Sequence, residues 1–246
     1  MTPSKTFGLI GKTLKHSFSK KYFEEKFEKE DLPHQYLNFE RSTLHNIKQL
    51  AIDYPNLSGL NVTIPYKEAI IPYLDKLSDK AQSIGAVNCI KITKKGLWKG
   101  YNTDAYGFKK SIEPHLKLHH QKALILGTGG ASKAVAYVLD ELKIAYVFVS
   151  RKKAPNQLTY DLINSTVLDN FQIIINTTPL GTFPKVDDYP QLPYHLLTKN
   201  HLAFDLVYNP SETLFLKQAK AQGAKTANGE NMLHFQAEKG WEIWGE

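Results

Sequence analysis

The sequence has 246 residues, enough for one large domain or two of ordinary size. Its 42% hydrophobic and 22% charged residues are typical of a soluble globular protein, and no run predicts a membrane span or a signal peptide. The single cysteine, Cys89, excludes an intramolecular disulfide and favours a reducing, cytoplasmic compartment. The net charge of +7 is spread over lysine pairs without any nucleic-acid-binding motif, which favours small anionic partners over nucleic acid or membrane.

Apolar runs of strand length alternate with segments of helical period, which predicts an α/β fold with mainly parallel sheets. In the first hundred residues, strands are predicted at residues 7–10, 35–39, 60–63, 86–92 and 97–101. The turn Lys94-Lys95-Gly96 is typical of a hairpin, so the last two strands should pair antiparallel. Asn102-Thr103-Asp104 can cap a helix, which is predicted to run to about Leu118.

The remaining sequence predicts a second set of alternating elements. Strands are expected near residues 123–126, 145–149, 157–160, 173–176 and 203–206, with helices over 134–142, 212–222 and 231–244.

A glycine-rich turn follows the strand that begins at Ala123 and passes directly into a helix-forming stretch. The turn reads Gly127-Thr128-Gly129-Gly130-Ala131. Glycines let the backbone turn sharply and approach a ligand, and the N–H groups at the start of the next helix favour a bound diphosphate. Ser132 stands where the usual fingerprint has its third glycine. The pattern predicts a nucleotide site.

A basic turn, Ser150-Arg151-Lys152-Lys153, follows the next strand. Enzymes that use NAD commonly carry an acidic residue here to bind the ribose, whereas a guanidinium suits the additional 2′-phosphate of NADP. The alternative is a solvated surface turn, but the position after the second strand favours NADP.

Three further segments carry polar residues at predicted strand ends. Asn61, Thr63 and Lys67 flank Pro65, which cannot continue a sheet, and their side chains could converge on one ligand. The alternative is an exposed loop. Asp104 could face that lysine, or could serve only as an acid in the first turn of its helix.

Two serines in His16-Ser17-Phe18-Ser19 could bind a carboxylate or hydroxyl groups, or could cap a helix. His115, His119 and His120 lack a complementary acidic or cysteine ligand, so no metal site is expected.

Taken in order, the motifs resemble those of the shikimate dehydrogenase family over nearly the whole chain. The matching segments are residues 16–19, 61–67, Gly85-Ala86-Val87-Asn88, 102–104, the glycine turn, the basic turn, Asn176-Thr177-Thr178-Pro179-Leu180-Gly181, Asp205-Leu206-Val207-Tyr208-Asn209-Pro210 and 229–236. The chain departs from the family at Lys20, Cys89, Ala105 and Ser150, none of which removes a group that the chemistry requires.

The resemblance implies two α/β domains: an N-terminal mixed-sheet substrate domain and a Rossmann-like, doubly wound nucleotide-binding domain. The expected limits are 1–103, completed by a C-terminal helix at 229–246, and 104–228. It also implies reversible, NADPH-dependent reduction of 3-dehydroshikimate to shikimate in aromatic amino acid biosynthesis, by a monomer or homodimer. The alternatives are a quinate dehydrogenase of broader specificity and a catalytically silent NADP-binding sensor.

The family's site residues carry over individually. Lys67 and Asp104 would be catalytic. Ser17 and Ser19 would bind the carboxylate, Asn61, Thr63, Asn88 and Asp104 the ring hydroxyls, and Tyr208 and Gln236 would complete the substrate pocket. The coenzyme would be bound by Gly127, Thr128, Gly129, Gly130, Ala131, Ser150, Arg151, Lys152, Thr177 and Gly229.

Overall fold

A computed structural model describes residues 4–14 and 18–245. The chain divides into two compact units: the first unit is Met1–Thr103 with Ala237–Glu246, and the second unit is Asp104–Gln236. None of the helices in the described residues is long and apolar enough to span a bilayer. The predicted α/β class, with one mixed and one doubly wound sheet, is confirmed. The substrate and coenzyme domain limits given above stay a prediction.

The first unit alternates strands and short helices. In chain order its elements are β1 (Thr6–Gly11), α1 (Phe18–Lys29), β2 (Gln35–Glu40), α2 (Leu50–Asp53), β3 (Leu57–Val62), α3 (Tyr66–Ala69), β4 (Lys76–Leu77), α4 (Asp79–Ile84), β5 (Cys89–Ile92) and β6 (Trp98–Tyr101). The described strands form one sheet in the order β2-β1-β3-β5-β6-β4. β1 pairs parallel with β2 and β3, whereas β5 runs antiparallel to β3 and β6, so the predicted hairpin is confirmed.

Side chains of this sheet alternate between two apolar layers, as a pleated strand requires. Ile10 and Leu60 belong to the layer that contains α2 and α3, whereas Phe7 belongs to the layer that contains α1 and the C-terminal tryptophans. Trp244 stacks on Phe7 with ring centroids 4.7 Å apart, and its indole N–H donates to the Ile90 carbonyl at 3.0 Å.

The second unit is a parallel α/β layer structure. Its elements are α5 (Asp104–Ile112), β7 (Lys122–Leu126), α6 (Gly130–Glu141), β8 (Ala145–Ser150), β9 (Gln157–Thr159), α7 (Ser165–Asn170), β10 (Ile173–Asn176), β11 (Leu202–Asp205), α8 (Leu214–Ala221), β12 (Lys225–Ala227) and the start of α9 (Glu230–Trp244), which continues into the first unit. Its described strands form a sheet in the order β12-β11-β10-β7-β8-β9, and every pairing in it is parallel.

Helices cover both faces of this second sheet. Phe204 of β11 meets Phe108 of α5 edge to face at 5.3 Å, whereas the adjacent residue Ala203 packs in the opposite layer with Phe215 of α8. From β7 the chain proceeds outward to β8 and β9 and then returns to β10 on the other side of β7. The carboxyl ends of β7 and β10 therefore form the point where strand order reverses, which is where open α/β sheets bind ligands.

The prediction that the helix from Asp104 extends to about Leu118 is wrong. α5 ends at Ile112 and is followed by a single 3-10 turn at Glu113–His115. Pro114 lies in that turn, and because proline has no N–H and its ring clashes with the preceding turn, it ends the α-helix.

Candidate active site

The glycine-rich turn joins β7 to α6 at the switch point of the second sheet. Gly127 has a φ of +106°, and a Cβ there would lie 2.9 Å from Thr177 Oγ1. Both the backbone conformation and the close approach therefore require glycine. α6 begins at Gly130, four residues before the predicted start, so that the second half of the turn forms its first residues.

Gly129 is the position that fits a bound diphosphate. Its φ of −85° is open to any residue, and no atom lies within 4 Å of where a Cβ would be. In the described chain no side chain caps this helix start, and the first turn of α6 contains no acidic residue. The space beside Gly129 and the positive end of a 12-residue helix together suit an anion.

Ser132 compensates for the missing third glycine. It is buried, and its hydroxyl donates to the Gly129 carbonyl at 2.6 Å. The small side chain thus keeps the helix close to the sheet and bonds within the turn itself. Thr128 and Gly129 are exposed, and Gly127, Gly130 and Ala131 are half-buried.

Thr177 closes the other side of the switch point. Its N–H and its hydroxyl both donate to the Leu126 carbonyl, at 3.0 and 2.7 Å. The loop after β10 is therefore fixed to the end of β7, next to the glycine turn. Thr177 itself is half-buried.

The basic turn begins where β8 ends. Ser150 is half-buried and its Oγ accepts a hydrogen bond from the Lys152 N–H at 3.2 Å, while Arg151, Lys152 and Lys153 are exposed. β8 is the parallel neighbour of β7, so the turn and the glycine-rich segment lie at the same edge of the sheet. This is the edge at which an adenine ribose phosphate would be bound.

A buried carboxylate fixes the loop after β11. Asp205 accepts hydrogen bonds from Asn176 Nδ2 at 2.9 Å, from the Val207 N–H at 3.0 Å and from the Thr213 hydroxyl at 2.6 Å. Burial raises the pKa of Asp205 to about 6, although these three donors favour the charged form. Asn176 in turn accepts from the Thr178 hydroxyl at 2.6 Å, so one network connects the loops after β10 and β11.

Gly229 follows β12 at the same edge. A Cβ there would lie 2.2 Å from the Leu206 carbonyl oxygen, and its N–H donates to the Val207 carbonyl at 3.2 Å. Only glycine fits against this backbone. Tyr208, in the same loop, is half-buried, and burial raises the pKa of its phenol. Gln236 is buried and its amide donates to the Leu233 carbonyl within α9.

In the first unit, Asn88 brings together three segments that are distant in sequence. Its carbonyl accepts from the Val62 N–H at 2.9 Å and from Asn61 Nδ2 at 3.4 Å. Its own amide accepts from the Thr103 N–H at 2.6 Å and donates to the Thr103 hydroxyl at 3.0 Å. Asn61, Asn88 and Thr103 are all buried.

Lys67 lies on α3, in the turn that follows β3. The Lys67 carbonyl accepts from the Val87 N–H at 2.7 Å, and the Thr63 carbonyl accepts from the Tyr66 N–H at 2.9 Å. Both the lysine and Thr63 are half-buried. The first unit therefore brings Asn61, Thr63, Lys67 and Asn88 to one end of its sheet.

The two predicted serines have different outcomes. Ser17, like His16, lies outside the described residues. Ser19 is half-buried near the start of α1, and its hydroxyl hydrogen-bonds the phenol of Tyr36. The Tyr36 hydroxyl donates to Asn61 Oδ1 at 2.7 Å. Asp104 is buried, begins α5 in the second unit and directly follows Thr103 in the chain.

The sequence patterns assigned no role at the candidate site to Tyr36, Thr103, Asn176 or Asp205. Asn176 and Asp205 lie within motifs that were recognised, so their position at strand ends was the available signal. Tyr36 gave a weaker signal, a polar ring in an otherwise ordinary strand. Across residues 4–14 and 18–245, no group of His, Cys, Asp or Glu side chains could hold a metal ion.

A doubly wound parallel sheet with an open glycine turn at its switch point defines the second unit as a nucleotide-binding α/β fold. It is joined to a mixed-sheet unit in which the half-buried Lys67 follows β3, at the end of the sheet where Asn61 and Asn88 are buried. This combination defines a class, the two-domain α/β dehydrogenases.

Comparisons with known proteins identify the family. A sequence profile of the shikimate dehydrogenase substrate binding domain matches residues 9–90. A shikimate dehydrogenase (NADP(+)) of Methanosphaera stadtmanae is 38% identical, covering 96% of this chain and 90% of that protein. The crystal structure of shikimate dehydrogenase 1 from Peptoclostridium difficile is 38% identical with a TM-score of 0.81, covering 98% of this chain and 91% of that one.

A third match is the shikimate 5-dehydrogenase of Thermus thermophilus in complex with NADP(H) and shikimate. It is 29% identical with a TM-score of 0.85, and the match covers 98% of this chain and 93% of that one. The chain belongs to the shikimate dehydrogenase family.

The Asp205 network generates a prediction about stability and pH. Burial raises the pKa of Asp205 from its ordinary value of 3.8 to about 6, so the native state takes up this proton at higher pH than the unfolded state. The resulting stabilisation is fully present below the pKa that Asp205 has in the unfolded protein, and it is lost as the pH rises through the pKa of Asp205 in the native protein. When the pH is lowered from 8 to 5, the free energy of unfolding of the wild type should rise by about 1 kcal/mol relative to that of Asp205→Asn.

Urea unfolding of both proteins at the two pH values measures this difference. Asp205→Asn is the control for the wild type, because it keeps the shape of the side chain but does not titrate. An identical pH dependence in the two proteins would contradict the prediction.

Proposed function

We propose that this protein catalyses the reversible, NADPH-dependent reduction of 3-dehydroshikimate to shikimate, a step of aromatic amino acid biosynthesis. The observation that carries the proposal is the convergence of Asn61, Lys67 and Asn88 at one end of the first sheet. A half-buried lysine at the same sheet end as two buried amides suits a small polyhydroxylated ring that bears a carbonyl. Membership of the shikimate dehydrogenase family supports the same substrate.

The substrate offers a carboxylate and ring hydroxyls to the protein. We assign the carboxylate to Ser17 and Ser19. Polar groups that are buried must be hydrogen-bonded, and a ring with several hydroxyl groups offers many such partners. The remaining substrate contacts are assigned to Asn61, Thr63, Asn88, Asp104, Tyr208 and Gln236.

Reduction of a ketone leaves negative charge on its oxygen, and the protein must stabilise this charge as it develops. NADPH, when bound, supplies the hydride that reaches the carbonyl carbon. The Lys67 ammonium then donates a proton to the oxygen, which completes the hydroxyl group. In the oxidative direction the same amine accepts the proton. We assign Asp104 as the second catalytic residue.

The coenzyme is assigned to the edge of the second sheet at the switch point. The open space beside Gly129 and the α6 N-terminus fit the diphosphate. Arg151 and Lys152 follow Ser150, the last residue of β8, and fit the 2′-phosphate because a guanidinium binds phosphate in a bidentate way. Gly127, Thr128, Gly130, Ala131, Thr177 and Gly229 complete the assigned coenzyme contacts.

We further propose that the enzyme works in the cytoplasm as a monomer or homodimer. The one cysteine, Cys89, is a buried free thiol, which suits a reducing compartment.

The function is tested by the absorbance of reduced nicotinamide after purified protein is mixed with shikimate and NADP. Quinate in place of shikimate, and NAD in place of NADP, give the other three arms. Turnover is expected to be fastest with shikimate and NADP. Equal turnover of quinate would indicate the broader dehydrogenase, and no turnover with any pair would leave the NADP-binding sensor.

Lys67→Met should lower kcat by a factor of about 100 to 10,000, the usual contribution of a positioned proton donor. The KM for NADP should change little, because the lysine belongs to the first unit and the coenzyme is assigned to the second. Steady-state kinetics measure both constants. Lys21→Met, at an 80% exposed lysine of α1, is the matched control and should keep wild-type kcat. A Lys67→Met enzyme with wild-type turnover would refute the assignment.

Arg151→Ala should raise the KM for NADP about 10- to 100-fold, the range expected when hydrogen bonds to a charged group are lost. The KM for NAD should change much less, because NAD lacks the 2′-phosphate. Lys199→Ala is a suitable control. It removes an exposed cation just before β11, so this lysine lies at the amino ends of the parallel strands, whereas Arg151 lies at their carboxyl ends. Equal losses with the two coenzymes would show that the turn is only a solvated surface.

A further inference from the structure

Tyr36 connects two of the residues assigned to the substrate, although it lies on a different element from either. It belongs to β2 and is 1% exposed. Its hydroxyl donates to Asn61 Oδ1 at 2.7 Å, and the hydroxyl of Ser19 on α1 hydrogen-bonds the same phenol. The tyrosine oxygen thus lies where β2, β3 and α1 meet.

Packing alone does not require this hydroxyl. The Tyr36 ring stacks on Phe23 with centroids 4.9 Å apart and planes 10° apart, within an apolar cluster that also contains Phe7 and Trp241. A phenylalanine would fill the same space. Burying a hydroxyl is unfavourable unless it is hydrogen-bonded, and its partners here are polar side chains rather than backbone groups.

The hydrogen bond fixes which end of the Asn61 amide points toward Tyr36. Because the phenol donates, it faces the carbonyl oxygen of the amide, and Nδ2 is directed to the Asn88 carbonyl at 3.4 Å. An amide nitrogen has two hydrogens, and the bond to Asn88 uses one of them. Asn61 therefore presents itself to an approaching oxygen as a donor.

We infer that Tyr36 is a positioning residue for substrate recognition, which orients the Asn61 amide so that its N–H group faces a hydroxyl of the bound ring. The inference rests on the proposed function. It makes Tyr36 a determinant of substrate affinity, without contact between Tyr36 and either the coenzyme or the reacting carbonyl.

Tyr36→Phe tests the inference, because it removes one oxygen atom and keeps the ring. The KM for shikimate should rise about threefold to tenfold, as expected for the loss of a single neutral hydrogen bond. The kcat and the KM for NADP should change by less than about twofold. Tyr194→Phe is the matched control: that tyrosine is also buried, its hydroxyl donates to the Pro190 carbonyl at 2.7 Å, and it lies in the second unit. It should leave the shikimate KM unchanged.

A double-mutant cycle with Asn61→Ala separates positioning from general destabilisation. If Tyr36 acts through the amide, Tyr36→Phe should have no further effect on the shikimate KM in the Asn61→Ala background. An effect of the same size in both backgrounds, an unchanged KM in the single variant, or an equal rise in the NADP KM would overturn the inference. A wild-type protein without activity would overturn the proposed function and this inference with it. If the wild type is active, the Tyr36 variants test the inference alone.

Discussion

The buried amide of Asn88 is the constraint on which the geometry of the first unit depends. Its side chain bonds the backbone and hydroxyl of Thr103, while its carbonyl accepts from Val62 and from the side chain of Asn61. A single residue therefore sets the relative positions of the end of β3, the start of β5 and the segment that leads into α5. Because all of these polar groups are buried, each lost hydrogen bond would leave an unsatisfied partner, and the arrangement is held as a unit.

In the second unit, a buried carboxylate fixes the loops at the ends of the strands. The Asp205 carboxylate accepts from three donors, one of which, Asn176, also accepts from Thr178. The loops after β10 and β11 are fixed to each other by this network, and Thr177 fixes the first of them to β7. The glycine turn thus faces loops whose positions are set by side chains that need not touch a ligand. Such support lets a binding edge built from loops stay ordered.

Elements that carry an apolar run or a turn motif of their own followed from the sequence. The strands at 173–176 and the hairpin at 94–96 were predicted from apolar runs and turn residues, and both are confirmed. The elements β4 and β12 were not predicted, because neither carries an apolar run like that of β10 and each forms through tertiary contacts. Pro114 marks the end of α5 in the sequence, but the helix was predicted to extend to about Leu118.

Some residues of the candidate site could likewise be predicted from a local sequence pattern, and others could not. The glycine and basic turns, and the lysine after β3, were predicted because ligand-binding groups cluster at strand ends. Tyr36 and Asp205 act through other side chains, and each has a partner far away in the chain, Asn61 at 25 positions and Asn176 at 29. No local pattern reports a contact of that kind. Only the folded register brings the partners together.

The aromatic layer of the first unit has a consequence for synthesis on the ribosome. Phe7 and Phe23 pack against Trp241 and Trp244, which are translated after the whole second unit. At the usual rate of about 5–20 residues per second, the early part of the chain waits on the order of ten seconds for these two side chains. During that interval the aromatic face lacks its cover, and exposed apolar surface of this kind favours aggregation of a nascent polypeptide.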